Sequence, residues 1–152
     1  MMSIDIDASD LVAAADQLDR DVKVALVEAV KDASEAGAHE AMLRAPRRTG
    51  NLAREIYAQH AAAVSGEAVV GSITAEADYA AAVAEGTKPH TIEARGGALC
   101  FSAGGAVLFR KRVQHPGTRP NPFMKGGEAR AASELNSSLE SGVENAAAKF
   151  NG

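Results

Sequence analysis

The feature that most constrains the fold is an apolar stripe that runs through the chain before Pro46. Its members recur at spacings of three and four, as on one face of a helix: Leu11, Ala15, Leu18, Val22, Ala25, Leu26, Ala29 and Ala33. Ser9 is a suitable N-cap, and Pro46 ends the pattern. The stripe therefore predicts a long helix over about residues 9–44, roughly 50 Å long at about 1.5 Å per residue. Gly37 is a point where it could bend or divide.

The middle of the chain predicts a small, mainly antiparallel sheet over about residues 53–114. Extended runs flank Ser65-Gly66, and a second pair, "ALCF" and "AVLFRKRV", flanks Gly104-Gly105, which indicates two hairpins. Cys100 lies between two apolar residues of its strand and is expected to be a small buried side chain. Between the hairpins, residues 78–87 predict a short helix that Gly86 ends.

The last part of the chain predicts a helix over about residues 121–150. Asn121 is its cap, and Pro122 takes the first position, where a missing N–H does no harm. Its apolar stripe is Ala131, Leu135, Leu139, Val143 and Phe150. The whole order predicts one α+β domain over residues 1–152: a long N-terminal helix, about four strands around a short helix, and a C-terminal helix.

Composition and charge narrow the class of protein. A single cysteine excludes an internal disulfide, and neither a signal peptide nor an apolar run of about 20 residues is evident. We therefore expect a soluble protein of a reducing compartment. Residues 1–40 carry ten acids and three bases, whereas residues 86–125 carry seven bases and one acid. Such segregation favours ordered association, within the chain or between copies of it.

No spacing predicts catalysis or a bound metal. His90 and His115 lie too far apart for a zinc motif, and the glycine pairs lack the context of a phosphate-binding loop. We therefore expect no catalytic residue, cofactor, metal or small-molecule substrate. Several bases could contact phosphates, namely Arg44, Arg47, Arg48, Arg54 and the run Arg110-Lys111-Arg112. However, the net charge is −4 and no aromatic platform accompanies them. A DNA-binding protein is thus a minor alternative.

Three motifs occur in a recognisable order. They are "APRRTGNL" (residues 45–52), "YAAAVAEGTKPHTI" (79–92) and "FRKRVQHPGTRPNPFM" (109–124). Together they resemble the gp-ten-like neck, or head–tail joining, family of long-tailed double-stranded DNA phages and prophages, over about Leu43 to Met124. The resemblance implies a structural protein without catalysis that forms a ring between head and tail.

The same resemblance implies partners and a location. Six or twelve copies would form the ring and contact adjacent head-connector and tail proteins, and genomic DNA would pass through in transit. The protein would be assembled in the bacterial cytoplasm and end in the virion, with no membrane contact. A tail terminator that caps the tail tube is an alternative in the same class. A non-virion prophage assembly factor is an alternative of another class.

Residue roles follow from the resemblance as hypotheses. The residues expected to shape the fold for assembly are Pro46, Thr49, Gly50, Tyr79, Gly86, Thr87, His115, Pro116, Gly117, Pro122 and Phe123, with Phe123 packing inward. The bases expected to contact a neighbouring subunit or connector protein are Arg47, Arg48, Arg110, Lys111 and Arg112. The segments around residues 88–97 and 102–106 are expected to be loops that order on assembly.

Overall fold

The structure is a computed structural model that describes residues 1–7, 20–61 and 69–150. This part of the chain has the α+β fold that the sequence predicts, but with seven strands instead of about four. In chain order the elements are β1 (Met2–Asp7), α1 (Arg20–Arg44), α2 (Asn51–Arg54), β2 (Ile56–Ala61), β3 (Val70–Ala75), α3 (Ala80–Glu85), β4 (His90–Glu93), β5 (Leu99–Ala103), β6 (Ala106–Arg110), β7 (Arg112–His115) and α4 (Phe123–Phe150).

Helix α1 is 25 residues long and continues through Gly37, which does not divide it. It ends where the sequence predicts. The Ala45 N–H still donates to the Ala41 carbonyl at 2.9 Å, and Pro46 then follows, which disfavours helical backbone at the residue before it. The first part of the predicted helix, residues 9–19, lies outside the described residues.

A three-stranded antiparallel sheet packs against α1, in the strand order β1–β3–β2. The pairing of β2 with β3 confirms the first predicted hairpin, although its turn lies outside the described residues. Strand β1 is not among the predicted elements, and it pairs along the other edge of β3, with Ile4 opposite Ile73. Gly71 of β3 allows the close contact with α1, because a Cβ there would lie 2.1 Å from Ser34 Oγ.

Helix α4 runs antiparallel to α1 and contacts it through small residues. A Cβ on Gly37 would lie 2.8 Å from the carbonyl oxygen of Gly127, and a Cβ on Gly142 would lie 2.8 Å from Ala25 Cβ. Positions early in α1 thus meet positions late in α4. Because glycine has no side chain, the two helix backbones can approach closely at these positions.

The core lies where β3, α1 and the start of α4 meet. Its largest fully buried side chains are Phe123, Ile56, Ile73, Met124, Val30 and Ser34. Most of its other members are alanines. Phe123 is 0% exposed, which confirms that it packs inward. The predicted stripe on the last helix is buried only in part, since Ala131 is 1% exposed and Val143 is 51% exposed.

Residues 88–117 form one long hairpin, called the arm from here on, in which no described side chain is buried. Strand β4 pairs with β7 near the core, and β5 pairs with β6 farther out. The β5–β6 pair confirms the hairpin predicted around Gly104-Gly105. The expected loop over residues 88–97 contains β4, and the expected strand "AVLFRKRV" breaks at Lys111.

The break has a structural cause. Residues 94–98 on one side of the arm stand opposite Lys111 alone on the other side, so the strand ladder is interrupted there. One backbone bond remains across the interruption, from the Ala94 N–H to the Lys111 carbonyl at 2.9 Å.

Candidate assembly surface

The base of the arm is closed by two threonines. The backbones of Thr87 and Thr118 exchange N–H···O=C hydrogen bonds, both 3.1 Å long, and the Thr118 N–H also reaches Thr87 Oγ1 at 3.0 Å. Gly86 and Gly117 flank this pair with φ angles of 75° and 86°. A Cβ on Gly117 would lie 2.1 Å from the Thr87 carbonyl oxygen, so this position requires glycine. The structure thus brings together the predicted residues Gly86, Thr87 and Gly117.

Two histidines form the first cross-strand pair of the arm. His90 and His115 lie opposite each other, with ring centroids 5.1 Å apart. The Gly117 N–H donates to His115 Nδ1 at 3.1 Å, so the His115 ring helps to form the turn after Pro116. This contact agrees with the turn role expected for His115, Pro116 and Gly117.

The other predicted shape residues lie outside the arm. Pro46, Thr49 and Gly50 form the turn between α1 and α2, where Gly50 has a φ of 76° and the Asn51 N–H reaches Thr49 Oγ1 at 3.4 Å. Tyr79 directly precedes α3, and its side chain is 45% exposed. Pro122 directly precedes α4, and its carbonyl accepts from the Gly126 N–H at 3.4 Å.

The outer part of the arm is apolar on both faces. Side chains of directly opposite residues share a face, so Phe109 with Cys100 and Val107 with Ser102 make one face. The other face carries the Phe101–Leu108 pair and, beside it, Leu99 opposite Arg110. Val107 is 60% exposed and Phe109 is 62% exposed. Cys100 is exposed as well, which corrects the expectation of burial: among the described residues, no second layer covers this face.

The predicted contact bases fall into two groups. Arg110, Lys111 and Arg112 are exposed on the arm, whereas Arg47 and Arg48 are exposed on the loop after α1. The Arg112 guanidinium bonds to the Glu93 carboxylate across the β4–β7 pair, with Nε at 2.9 Å. Glu93 is the one acid of the arm, so this bond leaves the other arm bases without an acidic partner inside the arm.

A groove of about 300 Å³ lies between α1 and α4. Small residues and carboxylates line it: Ala25, Glu28, Ala29, Asp32, Glu134, Ser137, Ser138, Ser141, Gly142 and Asn145. Glu134 is paired with Arg130 at 2.7 Å. No lysine or arginine is among the residues that line the groove.

Sequence reasoning missed this groove. The available signal was the pair of acids one helical turn apart, Glu28 and Asp32, on a helix whose opposite side is apolar. The second wall comes from α4, at the far end of the chain, and no local pattern shows that the two helices meet there.

Other chemistry is sparse in the part of the chain that the structure describes. No three His, Cys, Asp or Glu side chains there are grouped so that they could hold a metal ion. No helix in that part is long and apolar enough to cross a membrane.

The Tyr57 hydroxyl donates to the Glu76 carboxylate. This hydrogen bond, with smaller effects of burial and of the Glu76 charge, raises the pKa of Tyr57.

A scan against protein-family models and searches of curated proteins and of solved structures gave no match to this chain. The family that the motifs resemble therefore stays a prediction.

Proposed function

We propose that this chain is a structural virion protein in the head-to-tail connector, or neck, of a long-tailed phage. In this proposal copies of the chain join into a ring through which the genome passes. The observation that carries it is the arm, a long hairpin that contributes nothing to the core and exposes Val107 and Phe109 at its outer end. Exposed apolar patches of this kind mark surfaces that bind another protein.

The three motifs support the proposal through what their residues do in the fold. Gly86, Thr87 and Gly117 close the base of the arm, and Phe123 anchors the start of α4 in the core. Residues of the second and third motifs thus close the base of the arm, and Phe123 holds the helix that follows it. A ring subunit that contacts its neighbour through the arm would need the arm held in a fixed position.

Electron microscopy of lysates from a phage or prophage that lacks this gene tests the proposal. We expect DNA-filled heads beside separate tails of normal length, because a missing neck blocks joining and leaves both parts intact. Missing tails, or tails of uncontrolled length, would instead make the protein a tail terminator. Normal infectious particles would overturn both structural roles.

Mass spectrometry of purified wild-type particles separates the remaining classes. A neck protein is present in every particle, whereas an assembly factor leaves before the particle is complete. A DNA-binding protein would bind purified duplex DNA with an affinity that falls steeply with salt concentration. Absence from particles would contradict the neck proposal even if the deletion stops assembly.

A further inference from the structure

The arm and the interhelical groove are complementary surfaces of the same chain. The arm carries Lys88, Arg95, Arg110, Lys111 and Arg112 against Glu93 as its one acid. The groove carries Glu28, Asp32 and Glu134, and no base is among its lining residues. Opposite charges on two surfaces favour their association and select one orientation of it.

The shapes agree with the charges. The floor of the groove is made of small residues, Ala25, Ala29 and Gly142, where the helices approach closely. A two-stranded ribbon that lays its Val107 and Phe109 face on this floor would bring Lys111, which directly follows β6, near the carboxylates of the rim, whereas Arg110 lies on the other face with Leu99. Apolar contact would supply affinity, and the charges would set the register.

The arm does not fill the groove of its own molecule. Phe109 is 62% exposed, and the groove is lined by residues of α1 and α4 alone. An isolated two-stranded hairpin is marginally stable in water, so its apolar faces favour an external partner.

We propose that the arm of one copy docks in the groove between α1 and α4 of a second copy. This inference deepens the proposed function, since it names the contact by which the ring would form. The two surfaces differ, so each docked copy still offers a free arm or a free groove to the next. Such head-to-tail contacts close into a ring or extend into a filament.

Chemical cross-linking of the purified full chain tests the contact, and the native Cys100 gives it a single site on the arm. Ser138→Cys adds a second thiol in the groove. With a short bismaleimide we expect a ladder of dimers, trimers and larger species. Gln59→Cys, exposed on β2 away from the groove, is the matched control and should give no ladder. Equal ladders from both variants, or none from either at high protein concentration, would overturn the proposal.

The unmodified protein tests the main competing geometry. If two arms pair with each other, the wild-type chain will form dimers through its single Cys100 and nothing larger. That result would replace the arm-in-groove contact with an arm-to-arm contact. We expect wild-type cross-linking through Cys100 alone to stay at the level seen under denaturing conditions.

A charge exchange shows whether the ladder depends on the proposed ion pairs. In the Ser138→Cys background, Asp32→Lys and Lys111→Glu should each lower the ladder about tenfold, because each places like charges together. The two changes combined should restore it. Circular dichroism verifies that each variant is folded. Failure of the combined variant to recover, while both singles lose the ladder and remain folded, would overturn the contact.

The results for the two proposals are separable. A ladder from the purified chain together with normal particles from the gene deletion would keep the self-association and remove the neck role. Disconnected heads and tails together with no ladder would keep the neck role and remove the arm-in-groove contact.

Discussion

Gly37 determines how closely α1, α4 and the sheet can pack. A Cβ at this position would lie 2.5 Å from Ile73 Cδ1 and 2.8 Å from both Ala131 Cβ and the Gly127 carbonyl oxygen. Alanine gains about 1 kcal/mol over glycine in a helix, whereas overpacking a core costs about 1–3 kcal/mol. One obstacle is backbone, which cannot rotate away. An obstacle that cannot move puts the overpacking cost in the upper part of that range, about 2–3 kcal/mol. After subtracting the helix gain of about 1 kcal/mol, we expect Gly37→Ala to lower the free energy of unfolding by about 1–2 kcal/mol in urea denaturation.

Gly96→Ala is the control for that measurement. A Cβ at Gly96 meets no atom within 4 Å, and its φ is not in the left-handed region. Its free energy of unfolding should change by less than about 0.5 kcal/mol. If Gly37→Ala is as stable as the wild type, the helices do not approach as closely as the structure indicates.

Tyr57 gives a prediction at alkaline pH. Its hydrogen bond to Glu76 is the main cause that raises its pKa above the ordinary value of 10.0, with burial and the Glu76 charge adding to it. A raised pKa in the fold means that the neutral phenol is favoured there. The resulting stabilisation is fully present below pH 10 and is lost as the pH rises through the higher pKa of the folded protein.

Absorbance titration of the Tyr79→Phe variant isolates this group, because the chain has two tyrosines and no tryptophan. We expect a midpoint above 10 that moves down toward 10 when Glu76→Ala is added. The same titration in denaturant should show no difference between the two variants. A folded-state midpoint that does not respond to Glu76→Ala would contradict the hydrogen bond.

The arm contributes no buried residue to the core among the residues that the structure describes. Thr87 and Thr118 already join its two ends, so replacing residues 89–116 by Asn-Gly leaves a four-residue connection between them, a length common in hairpins. No core residue is removed. We expect the melting temperature by circular dichroism to change by less than roughly 3 °C, equivalent to about 1 kcal/mol.

A broad, non-cooperative transition in that variant would mean that the arm stabilises the core. Thr118→Gly, which keeps the arm, is the control for this deletion. It removes the hydroxyl that contacts Thr87 Oγ1 at 3.2 Å and should loosen only the base of the arm.

Local sequence patterns predict some of these elements and miss others for a physical reason. The β2–β3 and β5–β6 pairs join neighbours along the chain, so alternation and turn residues suffice to find them. Strand β1 has Ile4 and Ile6 alternating with acids, but its partner β3 lies far along the chain. Strand β4 is exposed along its whole length, so no apolar alternation marks it.

For the whole molecule, the sequence predicts the charges better than the surfaces that carry them. The acidic first part and the basic middle part are evident from composition alone. Their arrangement depends on two long-range facts: α4 forms the second wall of the groove, and the strand break at Lys111 makes the arm a separate projection. The exposure of Cys100 also depends on long-range structure. Alternation in the sequence shows which residues share a face of a strand, but it does not show whether another layer covers that face.

The head-to-tail geometry makes a prediction about mixtures. A copy with Val107→Ser and Phe109→Ser keeps its groove but loses the apolar face of its arm. A copy with Glu28→Lys and Asp32→Lys keeps its arm but loses the carboxylates of its groove. Each alone should stay monomeric at concentrations where the wild type associates, because every contact needs one intact surface of each kind.

An equal mixture of the two variants contains one intact arm and one intact groove for each pair of molecules. We expect native mass spectrometry to show a dimer with one copy of each variant and nothing larger, because forming that dimer uses both intact surfaces. A symmetric contact would behave differently: an arm-to-arm contact would give homodimers of the variant whose arm is intact, and a groove-to-groove contact would give homodimers of the variant whose groove is intact. Homodimers of either variant, or trimers in the mixture, would contradict the contact between the arm of one copy and the groove of another.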